Sequence, residues 1–216
     1  MSSTLNVERR AASFAGRIRP ARMEDIDPIL TLQREAFADK FGGAFGQGNI
    51  EKGVIALAAS WRRQGPAAMR GMLVAEADGT IVGTTTLRTS AMGNDDGAAA
   101  ELAFQQALGP WGAARSLFAL SILDHRIGRD EGFITDVAVL ATWRRRGVAR
   151  ELLARAEEEA RLKRRRYLGL YVSAANQQAR PLYHSLGYND IRTRRSWAAR
   201  FIFGQRSWVY MRKDLV

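Results

Sequence analysis

The chain has 216 residues, of which 46% are apolar and 25% are charged, a composition ordinary for a globular domain with a sizeable core. It contains no cysteine, which excludes a disulfide scaffold, a thiolate zinc site and a cysteine nucleophile. Its formal net charge is +11, and no run of about 18 apolar residues marks a membrane span. We therefore expect a cytoplasmic protein that makes no use of a membrane.

The basic excess lies entirely in the last third of the chain. Residues 1–143 carry 15 basic and 16 acidic side chains, whereas residues 144–216 carry 18 basic and 6 acidic ones. The segment 144–166 alone holds ten basic side chains against four glutamates. Either this is a solvated, arginine-rich helix or it marks a surface where an anion binds, and composition leaves both open.

Local patterns predict a tail, a strand, two helices and a hairpin in the first 90 residues. In chain order we expect a mobile tail over 1–16, a strand over Arg17–Arg19, a helix over Met23–Phe37, a glycine-rich loop over 42–48 and a helix over Glu51–Gln64. Two β-prone runs, Met72–Ala77 and Thr80–Arg88, follow. The Asp78-Gly79 pair between them is typical of a β-hairpin turn.

A helical insertion at about residues 90–132 precedes alternating strands and helices. The insertion contains two predicted helices, Ala98–Leu108 and Trp111–Asp124. The elements predicted after it are a strand over Phe133–Leu140, a helix over Arg146–Arg164, a strand over Tyr167–Ser173, a helix over Gln178–Leu186, a strand near Asp190–Arg194 and a strand over Ser207–Lys213. The whole predicts one mixed α/β domain without an interdomain linker.

An arginine-rich turn opens the amphipathic helix predicted over Arg146–Arg164. A helix N-terminus presents about four unpaired amides and roughly half a positive charge, so it binds phosphates. Gly147 and Ala149 are small and permit a close approach of ligand to backbone, and Arg144 and Arg146 add positive charge. A dinucleotide-binding turn would need G-x-G-x-x-G, and this turn has a single glycine.

Three motifs in order resemble the GNAT superfamily of acetyl-CoA-dependent N-acetyltransferases. They are V-x-V at 137–139, R-x-x-G-x-A at 144–149 and N-x-x-A-x-x-L-Y-x-x-x-G-Y at 176–188. The opening segment IRPARMEDIDPILTLQREAF and the closing YMRKDL are also similar to the family, so the resemblance covers most of the chain. It implies one α/β (α+β) GNAT domain over 17–216, with a mixed sheet of six to seven strands flanked by helices and splayed between the strands near 133–140 and 167–173.

The resemblance also implies roles for individual residues. The strand backbone at Val137, Ala138 and Val139 would pair with the pantetheine arm of the coenzyme, and Asn176 would contact the same arm. Tyr183 would lie beside the sulfur as the general acid. The pyrophosphate would be held by the turn and the start of its helix, that is, by Arg144, Arg145, Arg146, Gly147, Val148, Ala149 and Arg150. Arg145 and Ala149 stand where the family often has glycine.

The function implied is transfer of an acetyl group from acetyl-CoA to a primary amine. Because the chain has no cysteine, direct attack in a ternary complex is favoured over an acyl-enzyme. Asp136 or Glu131, acting through water, are the candidate bases. His125 is predicted as a polar residue at a helix end and His184 as a surface residue. Two histidines so far apart predict no metal site.

Two other functions remain open from the sequence. A non-catalytic acyl-CoA sensor would keep the phosphate turn, and a nucleic-acid-binding module would explain the basic C-terminal third. The acceptor amine, on a small molecule or a protein, is not identified. The segment Arg192–Arg206, which contains Trp197, is expected to meet substrate or to form a homodimer surface. The arginines at 161–166 exceed what one coenzyme needs.

Overall fold

The structure, a computed structural model, describes residues 14–92, 97–122, 125–204 and 207–215. The described strands form one seven-stranded sheet in the order β1-β2-β3-β4-β5-β7-β6. The strands are β1 (Arg17–Pro20), β2 (Met72–Ala77), β3 (Thr80–Thr89), β4 (Glu131–Val139), β5 (Tyr167–Ser173), β6 (Asn189–Arg195) and β7 (Ser207–Asp214). The α-helices are α1 (Ile26–Ala36), α2 (Ala38–Phe45), α3 (Ile50–Gln64), α4 (Gly97–Ile122), α5 (Val148–Leu162), α6 (Ala179–Ser185) and α7 (Trp197–Phe203).

Strands β4 and β5 form the only parallel pair among the described strands, and they separate halfway along their length. Their pairing runs from Glu131 with Tyr167 to Ile134 with Leu170. Beyond these pairs β4 continues to Val139 and β5 to Ser173, with no further pairing between them. The mixed sheet and the splay predicted from the sequence are thereby confirmed.

Helix α5 covers one face of the sheet and helices α1 and α3 cover the other. The apolar side of α5, which includes Leu152 and Ala156, packs against β-strand residues such as Leu168 and Leu170. On the opposite face, Ile29 of α1 packs against Val74. Apolar burial on both faces fixes the sheet, and it leaves the divergent ends of β4 and β5 as the place where the two halves part.

The long helix α4 is broken at Gly109, whose φ of 71° and ψ of 173° are not helical, and Pro110 follows. Proline lacks the amide hydrogen that would continue a helical ladder and tolerates only the first turn of a helix. The break confirms the two helices predicted in the insertion. Within the described ranges, no helix combines the length and apolarity needed to cross a bilayer.

The structure tests the predicted glycine-rich loop but not most of the predicted N-terminal tail. Residues 1–13 of the tail lie outside the described residues, while Phe14 meets Trp143 edge-on at a ring distance of 6.1 Å. The loop predicted over 42–48 is wrong at its start, because α2 runs through Gly42 and Gly43 and ends before Gly46 at a φ of 85°. Both glycines inside the helix are buried, so tertiary packing outweighs their low helix propensity.

Candidate active site

A cavity of about 510 Å³ opens where β4 and β5 separate. Its floor is formed by the diverging strand ends, at 133–137 of β4 and 170–173 of β5. One wall comes from the junction of α1 and α2 at 35–40, and the other from α6 and from residues of the last two strands. The lining includes the side chains of Phe37, Lys40, Asp136, Asn176, Tyr183, Arg194 and Trp208.

A β-bulge in β4 brings Asp136 to the cavity. The register of β4 with β3 shifts between Thr84 and Thr86, so a single residue of β3 opposes both Asp136 and Val137. Asp136 has a φ of 54°, a conformation that costs a non-glycine residue about 1 kcal/mol or more and is concentrated at functional sites. The bulge interrupts the regular ladder and exposes backbone groups at 136–137 to the cavity.

The carboxylate of Asp136 forms an ion pair with Lys40 at 2.7 Å. Burial alone would raise the pKa of this carboxyl, but the charge and hydrogen bond of Lys40, together with Thr135 and Arg88, hold its pKa below the usual range. The carboxylate is therefore ionised at neutral pH. Sequence reasoning missed Lys40, since nothing near it in the chain signals that α2 would reach the bulge.

Tyr183 lies on α6, buried at the cavity side of the helix. Its ring meets that of Tyr188 edge-on, with centroids 5.9 Å apart. Burial raises the pKa of the Tyr183 hydroxyl to about 12, so this group is fully protonated at neutral pH. A protonated phenol in a pocket wall carries a proton that it can donate, and it cannot accept one from an amine.

Asn176 lies just before α6 and caps it. Its Oδ1 accepts hydrogen bonds from the backbone amides of Ala179, at 2.9 Å, and Gln178, at 3.3 Å. The capping bond fixes both the start of the helix and the orientation of the carboxamide. With the oxygen engaged, the amide nitrogen is the end of this side chain that can serve a ligand carbonyl.

The arginine-rich turn follows β4 directly and ends at the N-terminus of α5. Gly147 caps the helix with a φ of 82°, and Arg145 also has a positive φ, of 60°. The first helical hydrogen bond is donated by Glu151 to the Gly147 carbonyl at 3.1 Å. The amides of Val148, Ala149 and Arg150 precede that bond, so they are available to an anion.

Most arginines of the turn are exposed and held by local contacts. Arg144 Nε donates to the Val139 carbonyl at 3.4 Å, and the Arg146 guanidinium lies 5.0 Å from the ring centroid of Trp143. Arg150 donates to Ser185 Oγ of α6 at 3.1 Å. The turn thus carries several guanidinium groups beside a helix N-terminus, a combination that attracts phosphate.

The surplus cations at the far end of α5 have structural partners. Arg161 pairs with Glu157 at 2.9 Å and donates to the Leu215 carbonyl, which ties the chain's end to the helix. Lys163 pairs with Glu159 at 2.9 Å, and Arg165 donates to the Lys163 carbonyl at 2.7 Å. These contacts of Arg161, Lys163 and Arg165 lie at the end of the helix, away from the turn at its start.

Glu131, the second candidate base, lies outside the cavity lining and is buried. Its carboxylate accepts hydrogen bonds from the Tyr210 hydroxyl at 2.7 Å, the Gly128 amide at 2.9 Å and His125 Nε2 at 3.0 Å. His125, expected as a polar residue at a helix end, packs against Phe133 at a ring distance of 4.2 Å, with its side chain 9% exposed. His184 is half exposed on the surface, as expected.

The predicted residues thus fall into four places. Asp136, Val137, Asn176 and Tyr183 share the cavity. Ala138 is buried in the core beside them. The arginine-rich turn and the start of α5 follow β4 along the chain. Glu131 lies outside the cavity, in contact with His125 and Tyr210. Lining residues that the sequence did not indicate are Phe37, Lys40 and Trp208, whereas Arg194 belongs to the segment Arg192–Arg206 that was expected to meet substrate or to form a homodimer surface.

Comparison with known protein families identifies the family to which this chain belongs. The model of the Acetyltransferase (GNAT) family matches residues 34–188, which is most of the chain. The chain belongs to the GNAT acetyltransferase family. The match includes the bulged strand, the arginine-rich turn and the helix that carries Tyr183. A search of curated protein sequences gave no match.

Solved structures of GNAT proteins share this fold. A crystal structure of an acetyltransferase has a TM-score of 0.64 at 24% identity and covers 93% of this chain and 100% of its own. The PaiA N-acetyltransferase of Thermoplasma acidophilum, solved with coenzyme A, has a TM-score of 0.58 at 15% identity and covers 93% and 99%. YncA of Salmonella typhimurium, solved with its cofactor acetyl-CoA, has a TM-score of 0.60 at 19% identity and covers 94% and 95%.

Proposed function

We propose that this GNAT protein transfers an acetyl group from acetyl-CoA to a primary amine by direct attack. The observation that carries the proposal is the shared cavity, which is lined both by the buried, protonated Tyr183 and by Asp136 at the bulge of β4. Neighbouring structures with coenzyme A or acetyl-CoA support the identity of the donor.

The residues of the chain fit such a donor. The open amides at the start of α5 and the arginines around Gly147 would hold the pyrophosphate. The backbone at Val137, Ala138 and Val139 would pair with the pantetheine arm in the gap that the splayed strands leave, with the Asn176 amide donating to it. The coenzyme supplies a thioester, and the protein orients it toward the cavity.

Tyr183 would act as the general acid. Acetyl transfer breaks the bond between the carbonyl carbon and sulfur, and the departing thiolate needs a proton. The buried Tyr183 hydroxyl, whose pKa is raised to about 12, carries that proton at all physiological pH values. A backbone amide at the bulge would stabilise the oxyanion that forms when the amine adds to the carbonyl.

Asp136 is the better of the two candidate bases. The Glu131 carboxylate is occupied by three donors and lies outside the cavity, so it is not free to accept a proton from an amine there. Asp136 lines the cavity and is ionised. It would draw the ammonium form of the acceptor in and remove one proton through water, leaving the lone pair that attacks the thioester. The second proton of that nitrogen would then restore the Tyr183 hydroxyl after Tyr183 has protonated the departing thiolate.

The test compares Tyr183→Phe with Tyr188→Phe by release of free thiol from acetyl-CoA across a panel of amines. Each variant removes one hydroxyl, and the two rings are in contact. We expect Tyr183→Phe to lower kcat by about 100-fold or more, as loss of a general acid does. Tyr188→Phe should retain kcat, because its buried hydroxyl has no hydrogen-bond partner among the described residues.

Equal kcat values for the two variants would remove Tyr183 from the mechanism. Thermal stabilisation by acetyl-CoA without thiol release from any amine would instead favour the acyl-CoA sensor.

A further inference from the structure

Helix α4 turns its large side chains outward in its second half. Ala113 and Ala119 are buried there, whereas Trp111 and Phe118 are 88% and 60% exposed. The two rings are seven residues apart, which is two helical turns, so they share one face and lie about 10 Å apart along the helix axis. An ordinary amphipathic helix buries its large apolar side chains, and this segment exposes them instead.

Helix α7 exposes two further rings beside α4. Trp197 and Phe201, one turn apart, are 66% and 85% exposed, and the Arg200 guanidinium lies 6.0 Å from the Trp197 ring centroid. The two helices are in contact, and Leu117 of α4 and Ile202 of α7 pack against the same buried cluster. The exposed rings on these neighbouring helices form the aromatic patch, which consists of Trp111, Phe118, Trp197 and Phe201.

The segments that contain the aromatic patch have basic residues and no acidic ones. Residues 102–122 include Arg115 and no aspartate or glutamate, and residues 191–213 include seven basic residues and no acidic one. Arg115 and Arg200 are exposed. A surface that combines aromatic rings with positive charge is complementary to a partner whose negative charge overlies an apolar layer.

An anionic lipid bilayer matches both properties of the patch. Its surface is negatively charged and its interior is apolar, so it accommodates the arginines and the rings together. A second copy of the chain is a poorer match, because a two-fold contact would set arginines against arginines in segments that have no carboxylate. A nucleic-acid strand binds along a positively charged groove, whereas these rings lie on the outer faces of two helices.

We infer that the aromatic patch docks the protein on an anionic lipid surface, with its rings among the headgroups and Arg115 and Arg200 at the level of the phosphates. The sequence-based expectation that the protein makes no use of a membrane rests on the lack of a long apolar run. Interfacial binding needs no such run. Helix α7 begins directly after Ser196, which lines the cavity, so the docked face adjoins the candidate active site.

The experiment is cosedimentation of the full chain with vesicles of phosphatidylcholine that contain about 30% phosphatidylglycerol. We expect binding at about 0.1 M salt, release at about 1 M salt, and binding about 10-fold weaker to pure phosphatidylcholine, because the attraction between the arginines and the lipid phosphates is screened or absent. Phe118→Ser and Phe201→Ser should each lower the partition coefficient by about 10-fold, since each removes an inserted ring.

Leu162→Ser is the matched control. Leu162 is 74% exposed at the end of α5 and lies among the basic residues of 161–166, so this variant removes an exposed apolar side chain from a basic surface outside the patch. It should bind the vesicles as the wild type does. All three serine variants should keep the wild-type Tm, because the replaced side chains are exposed.

Tryptophan fluorescence identifies the face that meets the lipid. Lipids with brominated acyl chains quench tryptophans that enter the bilayer, and we expect them to quench the wild type. The double variant Trp111→Phe with Trp197→Phe keeps an aromatic ring at both positions and leaves three of the five tryptophans in place. It should still bind the vesicles, but with little quenching.

Three results of these measurements would overturn the inference. They are no binding to the phosphatidylglycerol vesicles, equal losses of binding in Leu162→Ser and Phe201→Ser, and quenching that persists in the double tryptophan variant. A dimer in solution that Phe118→Ser or Phe201→Ser dissociates would also overturn it, because a second copy would then cover the patch. Binding of a single-stranded oligonucleotide that the same two variants abolish, without binding to vesicles, would assign the patch to nucleic acid instead.

Discussion

The α-carbon of Gly169 lies directly against the carboxylate of Glu131. A β-carbon on Gly169 would lie 2.4 Å from Glu131 Oε1 and 2.5 Å from the Tyr210 hydroxyl. Neither atom is free to move, because the hydroxyl donates to that same carboxylate at 2.7 Å and His125 and Gly128 hold its other side. The absence of a side chain on β5 is therefore what allows the buried cluster behind the cavity to form.

Gly169→Ala should break this cluster and destabilise the protein. We expect the free energy of unfolding to fall by about 1–3 kcal/mol, the usual cost of overpacking a filled interior. Urea denaturation measures it. Gly48→Ala is the control, since nothing lies within 4 Å of a β-carbon there, and its effect should stay within about 0.5 kcal/mol. Equal free energies of unfolding for the two variants would show that the residues around Gly169 accommodate the added methyl group without loss of stability.

Glu131 should make stability depend on acidic pH. Burial acts to raise the pKa of its carboxyl, but the hydrogen bonds from His125, Gly128 and Tyr210 outweigh burial and hold it below the ordinary 4.5. A carboxyl with a lowered pKa in the folded state stabilises that state above the pKa of the unfolded chain. This contribution is lost as the pH falls through the folded-state pKa.

The measurement is the unfolding free energy of the wild type and Glu131→Gln from neutral to acidic pH. At neutral pH the variant should be less stable by about 1–3 kcal/mol, because its amide group cannot accept from every donor around it. The difference should shrink below pH 4.5, where the wild-type carboxyl gains its proton. Glu158→Gln, which removes an exposed partner of Arg155, should follow the wild-type curve. Parallel curves for wild type and Glu131→Gln would contradict the argument.

Sequence patterns predicted the elements whose causes are local. The Asp78-Gly79 turn adopts positive φ at both positions, and the Gly109-Pro110 step breaks α4, as their chemistry requires. The prediction was wrong for Gly42 and Gly43, because their helical state depends on packing of α2 against distant helices. It missed α7, whose residue Ile202 packs in the same cluster with Phe41.

The site residues also divide into those that a local motif indicated and those that only the assembled fold brings together. The turn around Gly147 and the segment from Asn176 to Tyr183 are contiguous motifs, and the sequence indicated them directly. Lys40 reaches Asp136 across 96 positions of the chain, and His125 owes its burial to rings on β4, β5 and β7. Contacts of this kind depend on the assembled sheet, so no local pattern reports them.

Gly147→Ala should weaken coenzyme binding beyond its effect on folding. The φ of 82° at Gly147 is strained for alanine by about 1 kcal/mol, and relaxing that strain would redirect the open amides of α5. Gly79→Ala is the matched control, because Gly79 has a similar φ of 73°, has no atom within 4 Å of a β-carbon and lies in a hairpin outside the turn.

Both alanine variants should lose a similar amount of stability, and only Gly147→Ala should raise the Kd for coenzyme A. Thermal denaturation and isothermal titration calorimetry measure the two quantities. An unchanged Kd in Gly147→Ala would show that the turn does not hold the pyrophosphate.

Lys40 should set the pH dependence of the reaction through Asp136. Burial raises the pKa of the Asp136 carboxyl, and the Lys40 ammonium is the largest influence that lowers it. In the wild type the lowered pKa keeps Asp136 ionised near neutral pH, so protonation of Asp136 lowers kcat/KM only at more acidic pH. In Lys40→Gln the opposing charge is gone and burial prevails, so the pKa of Asp136 rises.

The acidic limb of kcat/KM should therefore move to higher pH in Lys40→Gln, with the alkaline limb unchanged, because Tyr183 titrates only near pH 12. Lys52→Gln removes an exposed charge from α3 outside the cavity and should reproduce the wild-type profile. The acidic limb has two possible origins, protonation of Asp136 and protonation of the acceptor amine, and Asp136→Asn separates them. This variant should lower kcat/KM at every pH and keep only the part of the limb that protonation of the amine causes. Superposable profiles for wild type and Lys40→Gln would exclude Asp136 as the group that receives the proton, since a base freed from its ion pair must titrate at a different pH.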